Sequence, residues 1–343
     1  MAQSSAVRLA FDGRQYPALK FTGTEAISKP FSFEITVINS PEFETPAMRG
    51  ASAGIRLQDK QGNVREVHGY IAAIRESIEE LSLFIEPLLA FGQWSSNTRL
   101  FLGKTRREII TQVLQELGYR KDQIHWHGSF SEAHLSPTLL QADETQLAFV
   151  QRVLAELQCL YWFDSDGQAE QIHISNDLVY TRFTPELISL DQARKAAFNG
   201  ETRPMRGFAS IAKPAQQFVH NARPDKFGNS KEIAHRQTFL PLSNEGETLA
   251  TRQSEQHNQA VARGWMLTGN YPIVAAGFSV QPPPYWRSDH KSEDLTVLHC
   301  RHKGSAHDSA NPKLGLKYEI NATLIPRASG YRPDFPAMPQ LPV

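Results

Sequence analysis

The chain opens with strand-like alternation. In "FSFEITVI", Phe31, Phe33, Ile35 and Val37 take every second place against Ser32, Glu34 and Thr36, the period of a half-buried strand. The residues before it, "YPALKFTGTEAISKP", are rich in Gly, Ser and Pro and predict a sharp turn, with Gly23 and Pro30 shaping the entry to the strand. "GIRLQDKQGNVREVHGYIAAI" predicts a hairpin whose turn lies at Lys60 to Asn63, where Gly62 supplies a permissive φ. "LSLFIEPLLAF" predicts a further apolar strand.

The period then lengthens to that of a helix. In "KTRREIITQVLQELGY", Thr105 is placed as N-cap with Glu108 three residues on, so each side chain can reach the other's unpaired backbone N–H. Ile109, Ile110, Val113, Leu114 and Leu117 form one apolar stripe, and Gly118 ends it. "ADETQLAFVQRVLAEL" predicts the same device, with Asp143 as cap, Gln146 completing the box, and Leu147, Val150, Val153, Leu154 and Leu157 facing inward. "CLYWFDSDGQAEQIHIS" reads as two strands joined at Asp166-Gly167.

Residues 186–245 are polar and carry no clear period. "GETLATRQSEQHNQAVARGWML" predicts an amphipathic helix with Leu249 and Val261 on its apolar side. From Tyr271 onward "IVAAGFSV", "LTVLHCRHK" and "KYEINATLIP" predict strands again, interrupted at Pro282 to Pro284. The proline-rich tail "YRPDFPAMPQLPV" can extend neither a helix nor a central strand, and reads as a linker.

Composition narrows the function. At 343 residues the chain is long enough to bury most of its surface in more than one domain. Lys plus Arg number 36 and Asp plus Glu number 36, which argues against nucleic acid as a partner and against anchoring on an anionic membrane. No apolar run is long enough to span a bilayer, and "MAQSSAVRLAFDG" lacks the features of a signal peptide. Cytoplasmic synthesis is expected, with any export by a route that needs no signal peptide. The two cysteines, Cys159 and Cys300, sit in apolar runs and predict buried reduced thiols rather than a disulfide.

Signals for chemistry are weak. "GKT" at Gly103 to Thr105 opens a helix, but a phosphate-binding loop needs Gly where Thr98 stands, so an N-cap is the better account. His125 and His127 flank Trp126, with His134 nearby, and "HCRHKGSAH" gathers His299, Cys300, His302 and His307. On a strand, Cys300 and His302 point to one face and His299 to the other, which argues against a common metal site and for solvent-facing histidines at a strand end. No G-x-S-x-G elbow places a serine nucleophile. Paired acids such as Asp164 and Asp166, or Glu79 and Glu80, read as solvated charge, and "KTRRE" and "RHK" as solvated basic faces. No catalytic residue, cofactor or metal is assigned.

The stretch "FTGTEAISKPFSFEITVINS" resembles the N-terminal signature of the VgrG family, the spike proteins of type VI secretion. The resemblance rests on Gly23, Glu25, Pro30, Phe31 and Phe33, a Gly-x-Glu turn and a Ser-x-Pro-Phe step leading into an alternating strand. Further segments follow in the family's order: "HGYIAAI", "LFIEPLLAF", "TRLFLGKTRREIITQVLQELG", "QADETQLAFVQRVLAELQCLYWF", "GETLATRQSE", "LTVLHCRHKG" and "LIPRASGYRP". Together they cover residues 16–335, with 186–245 matching poorly. The family's needle is absent from the sequence, which reads as either a hub portion or a hub whose needle is a separate chain.

The resemblance implies a phage-tail-hub-like, mainly β fold with an α+β insert. Its expected parts are a first β-barrel-like lobe over 1–94, the insert over 95–185, a second lobe over 186–330 and a linker over 331–343. It implies a non-enzymatic homotrimer between the Hcp tube and the needle, with the needle expected to supply most of the trimer contact. It also implies contact with baseplate components and effector proteins, no stable membrane insertion, and delivery out of the cell. Two lobes per subunit let three chains present six similar surfaces to a sixfold tube. Two other readings stand beside it: a tail hub of a contractile phage or phage-derived particle, and a metal- or Ser-dependent hydrolase built on the histidine-rich strand ends.

Overall fold

The computed structural model describes residues 6–59, 62–130, 138–165, 167, 169–183, 205–210, 217–218, 233–234, 244–281, 293–306 and 316–333. The first third builds β1 (Ala6–Phe11), β2 (Arg14–Pro17), β3 (Lys20–Ala26), β4 (Lys29–Ile38), α1 (Thr45–Met48), β5 (Ser52–Gln58), β6 (Val64–Glu76), β7 (Glu80–Glu86) and α2 (Leu88–Phe91). The middle builds β8 (Ser96–Leu102), α3 (Arg106–Glu116), β9 (Ile124–His127), β10 (Thr138–Thr145), α4 (Gln146–Glu156), β11 (Leu160–Ser165) and β12 (Glu170–Ser175). The last part holds β13 (Met205–Ser210), β14 (Gln217–Phe218), β15 (Ile233–Ala234) and α5 (Asn244–Ala262). It ends with β16 (Trp265–Gly269), β17 (Ser279–Val280), β18 (Leu295–Ala306) and β19 (Leu316–Pro326).

One 12-stranded sheet runs in the order β13-β16-β19-β18-β3-β4-β7-β6-β5-β1-β2, with β17 added beside β18. This path does not close on itself among the described residues, so the fold is mainly β and hub-like without separate closed barrels. The reason lies in β18, whose length lets it pair with β19 along one edge and with β3 along the other. Strand edges that a closed barrel would pair with itself are used instead to join the two ends of the chain.

The helices and small sheets of the middle segment cover one side. β8 pairs β10, while β11, β12 and β9 form a three-stranded sheet in which β9 runs parallel to β12. A single large apolar cluster runs from Phe21, Phe33 and Ile85 of the long sheet through Val113 and Phe149 of α3 and α4 to Leu267 and Ile320.

Several local expectations hold. Thr105 caps α3, its Oγ accepting from the Glu108 N–H while Glu108 accepts from the Thr105 N–H, and Gly118 follows with φ +109°. The β5–β6 and β11–β12 hairpins form, with Gly62 and Gly167 at positive φ. Cys159 and Cys300 are buried free thiols. α5 forms where the amphipathic pattern places it, and Val261 packs on a second apolar cluster, whereas the side chain of Leu249 lies outside the described residues. Of the polar segment 186–245, three short strands and the first residues of α5 are described; Pro282 to Pro284 and the tail beyond residue 333 lie outside.

Four expectations are corrected. "FTGTEA" is not a turn but most of β3, and the turn is only Ile27-Ser28, with Ser28 at φ +61°. The strand in "LSLFIEPLLAF" stops at Glu86, because Pro87 has no N–H for a ladder and instead precedes α2. α4 is capped by Thr145, not Asp143. Asp143 sits at φ +46° in a bulge of β10, its N–H bonded to Thr98 Oγ1, so the strand continues through Glu144 and Thr145 before the helix starts. In "IVAAGFSV" only Ser279 and Val280 are strand; the residues before them are buried irregular chain, with Gly277 at φ +81° against Trp162.

Candidate functional site

The seam between β3 and β18 is where the two ends of the chain meet, and its inward face carries charge. On β3 the inward positions are Phe21, Gly23 and Glu25; on β18 they are Cys300 and His302; on β6 they begin with Arg65. Parity alone therefore points a carboxylate, a guanidinium, a thiol and an imidazole into one core.

They meet there. Arg65 grips Glu25 with both arms, Nη1 to Oε1 at 2.8 Å and Nη2 to Oε2 at 2.7 Å. His302 Nε2 lies 2.9 Å from Glu25 Oε1 and 3.3 Å from Cys300 Sγ, while its Nδ1 bonds the Tyr318 hydroxyl. Side chains of Arg65 and Glu25 are each 7% exposed and that of His302 is 0% exposed. The solvent-facing histidine expected here is thus corrected for His302: flanking strands β3 and β19 cover both its sides, and its face continues the core. His299 points the other way and is half-buried, while His134 and His307 lie outside the described residues.

Burial alone pushes the Glu25 carboxyl up, but the Arg65 charge and the His302 bond outweigh it and hold Glu25 down at about 2. Burial, then the Glu25 charge, drives the Cys300 thiol well above its ordinary value, which leaves it protonated and inert. Glu25, Cys300 and His302 offer donor atoms within 4.8 Å of one another. As a metal set they fit poorly, because the Arg65 cation already occupies both carboxylate oxygens and would face any second cation. Nor does the described cleft, of about 530 Å³ and lined by Asp177, Val179, Glu293, Asp294 and Arg327, include any member of the cluster. The arrangement acts as a satisfied ionic lock between the β6 hairpin and the β3–β18 seam.

The other motif residues build the same place. A Cβ on Gly23 would stand 2.1 Å from Phe33 Cδ1, so glycine lets the Phe33 ring cross β3. Phe33 lies 5.6 Å from Phe21 and 5.5 Å from Phe31, which meets Phe163 of β11 edge-on at 5.3 Å. Pro30 is the second residue of β4, at a strand start where its missing N–H is tolerated. Ser28 at the turn receives the Tyr161 N–H on its hydroxyl and gives its own N–H to the Tyr161 carbonyl, tying the hairpin to β11. The sequence reading missed Arg65 and Tyr318. The signal for Arg65 was available: it shares the inward parity of Val67, Gly69 and Ile71 on β6.

A second cluster gathers three histidines on the face of the small sheet that carries Trp162, on which His127 and His173 stack. His127 Nε2 lies 2.9 Å from His173 Nδ1, and His125 bonds Gln171. Burial, then the charges of His125, His127 and Arg182, lowers His173 to about 3.

A family model for the phage tail baseplate hub (GPD) matches residues 24–211, just over half of the 343. The chain belongs to this hub family. It is also similar to the type VI secretion system spike protein VgrG1b of Pseudomonas aeruginosa, 25% identical over 164 residues. That match covers 46% of this chain and 22% of VgrG1b, so the hub chain spans about a fifth of that relative. Its fold is similar to that of the E. coli c3393 protein, a type VI secretion component with structural similarity to the T4 tail proteins gp27 and gp5. There the TM-score is 0.64 at 16% identity, over 95% of this chain and 79% of the other. It is similar as well to the 43 kDa tail protein of prophage MuSo2 from Shewanella oneidensis, with TM-score 0.60, 13% identity and coverage of 95% and 99%. The hub is therefore a VgrG-like, phage-tail-hub-like structural protein.

Proposed function

We propose that this hub works as the trimeric adaptor of a type VI secretion puncturing device, seated between the Hcp tube and a spike needle and supporting effector delivery. The observation that carries it is the hub family match running through the Glu25 lock and the helical cover, together with the similarity to VgrG1b. In this reading the protein is not an enzyme. Its cysteine, histidine and carboxylate groups at the seam serve rigidity, as a part that transmits force between tube and needle requires. The hub is made in the cytoplasm, meets baseplate components during assembly and leaves the cell with the tube.

Deletion of the gene should abolish release of Hcp into the medium, and the intact gene should restore it. Normal Hcp release without the gene would overturn the reading. A second reading, the tail hub of a contractile phage or phage-derived particle, is favoured by coverage of 99% of the MuSo2 tail protein. Co-purification of the chain with phage tail particles, with no effect on Hcp release, would decide for it.

A further inference from the structure

The tip of the β6–β7 hairpin, Ser77 to Glu79, displays an apolar side chain on a rigid base. Ile78 is 97% exposed and Ile38, at the adjoining end of β4, is 50% exposed. The backbone on either side of Ile78 is tied down. Ser77 N–H donates to the Glu80 carbonyl at 2.8 Å, and Glu80 N–H to the Ser77 hydroxyl at 2.9 Å. Asn39 N–H donates to the Glu79 carbonyl at 2.8 Å, and the Asn39 amide to the Ser77 carbonyl at 2.7 Å. A single exposed isoleucine needs no explanation. Two at one rim, one of them on a turn held by these four hydrogen bonds, are pre-organised for contact.

Charge says what kind of contact. Glu42, Glu44, Glu76, Glu79 and Glu80 surround this end of the sheet. Arg14 pairs with Glu42, Lys20 with Glu80 and Arg75 with Glu34, whereas among the described residues Glu76 receives only the neutral Asn39 amide and Thr45 hydroxyl. Glu44 and Glu79 have no ion-pair partner among the described residues. Glu44, Glu76 and Glu79 thus leave a local carboxylate excess at this end of the sheet, which calls for cations from outside.

We propose that the β6–β7 tip is a docking knob for an apolar socket rimmed by basic residues on a partner protein. Resting on the adaptor reading above, the occupant is the tube protein. Ile78 enters the socket, Ile38 covers its edge, and Glu76 and Glu79 meet the basic rim. The tip stands at the far end of β6 from Arg65, twelve residue steps or about 40 Å of extended strand. Docking there leaves the seam undisturbed.

The test measures binding of the full chain to purified Hcp at low and high salt, for wild type, Ile78→Asp and Glu79→Lys. Wild-type binding should weaken with salt. Ile78→Asp should lower affinity about tenfold or more, and Glu79→Lys should slow association and flatten the salt dependence. Melting temperatures should stay unchanged, since neither side chain enters the core. Wild-type binding with both variants equal to it would overturn the knob and leave the adaptor reading standing. No wild-type binding would overturn both. If Ile78→Asp instead changed the sedimenting mass of the chain alone, the socket would lie on a second copy and the tube-protein assignment would fall.

Discussion

Glu25 and Glu170 are both buried glutamates, yet they rest in opposite charge states. Glu25 sits in the seam with the Arg65 guanidinium on both oxygens and is held down at about 2. Glu170 opens β12, and among the described residues its carboxyl meets only the Leu88 N–H, at 3.1 and 3.2 Å, and the Tyr119 hydroxyl. Burial therefore wins there and raises Glu170 to about 8. The difference teaches that depth does not set charge in this fold; a cation does. The seam is an ionic lock, whereas the junction of α2 with the small sheet is held by a neutral acid.

The strongest way to break the comparison is to remove the cation. Arg65→Met should turn Glu25 into a second Glu170, with its carboxyl above the ordinary range, and cost about 3–5 kcal/mol in denaturant melts. Loss of less than 1 kcal/mol would show that the lock holds nothing. Arg65→Met combined with Glu25→Leu removes both charges together, and should recover most of that loss.

Next in size is the pH dependence, where the two carboxyls act with opposite sign. The Glu25 folded value lies below its unfolded one, so its contribution is complete above about 4.5 and is lost as pH falls toward 2. The Glu170 folded value lies above its unfolded one, so its contribution is complete below about 4.5 and is lost as pH rises to 8. Urea melts should show stability from Glu170 draining by a few kcal/mol across that upper window. Glu170→Gln should abolish that decline specifically and leave the acid limb below pH 4.5 in place. The smallest effect belongs to Tyr119→Phe. The Tyr119 hydroxyl bonds Glu170 and also accepts the Leu89 N–H at 3.1 Å, so removing both bonds should cost about 2 kcal/mol and move the Glu170 midpoint above 8, because the hydroxyl favours the charged form.

Much of this architecture was legible, and the rest fails for physical reasons. Period-2 alternation placed β4, β5, β6, β18 and β19, and the Thr105–Glu108 box placed α3, because those signals are local. The pairing of β3 with β18 is not local, and without it "FTGTEAISKP" looks like a turn since nothing in the segment announces a partner far along the chain. The α4 cap was misplaced because Asp143 and Thr145 are both good caps, and only the β8–β10 ladder decides between them. At the site, Glu25 and Phe33 were singled out by resemblance, but their roles needed Arg65. An arginine and a glutamate each on core-facing strand positions are a readable sign of a buried pair.

The β3–β18 pairing also shapes how the molecule is made. Between Ala26 and Leu295 lie 268 residues. A ribosome adding about 5–20 residues per second needs roughly 13–54 seconds to cover them. For that interval β3 carries an open ladder edge and Glu25 waits beside a strand not yet synthesised, the state in which nascent β-proteins mispair. Completion of the fold is thus a late, nearly whole-chain event, and a ribosome-bound chaperone that shields β3 until β18 emerges would raise the yield of folded chains.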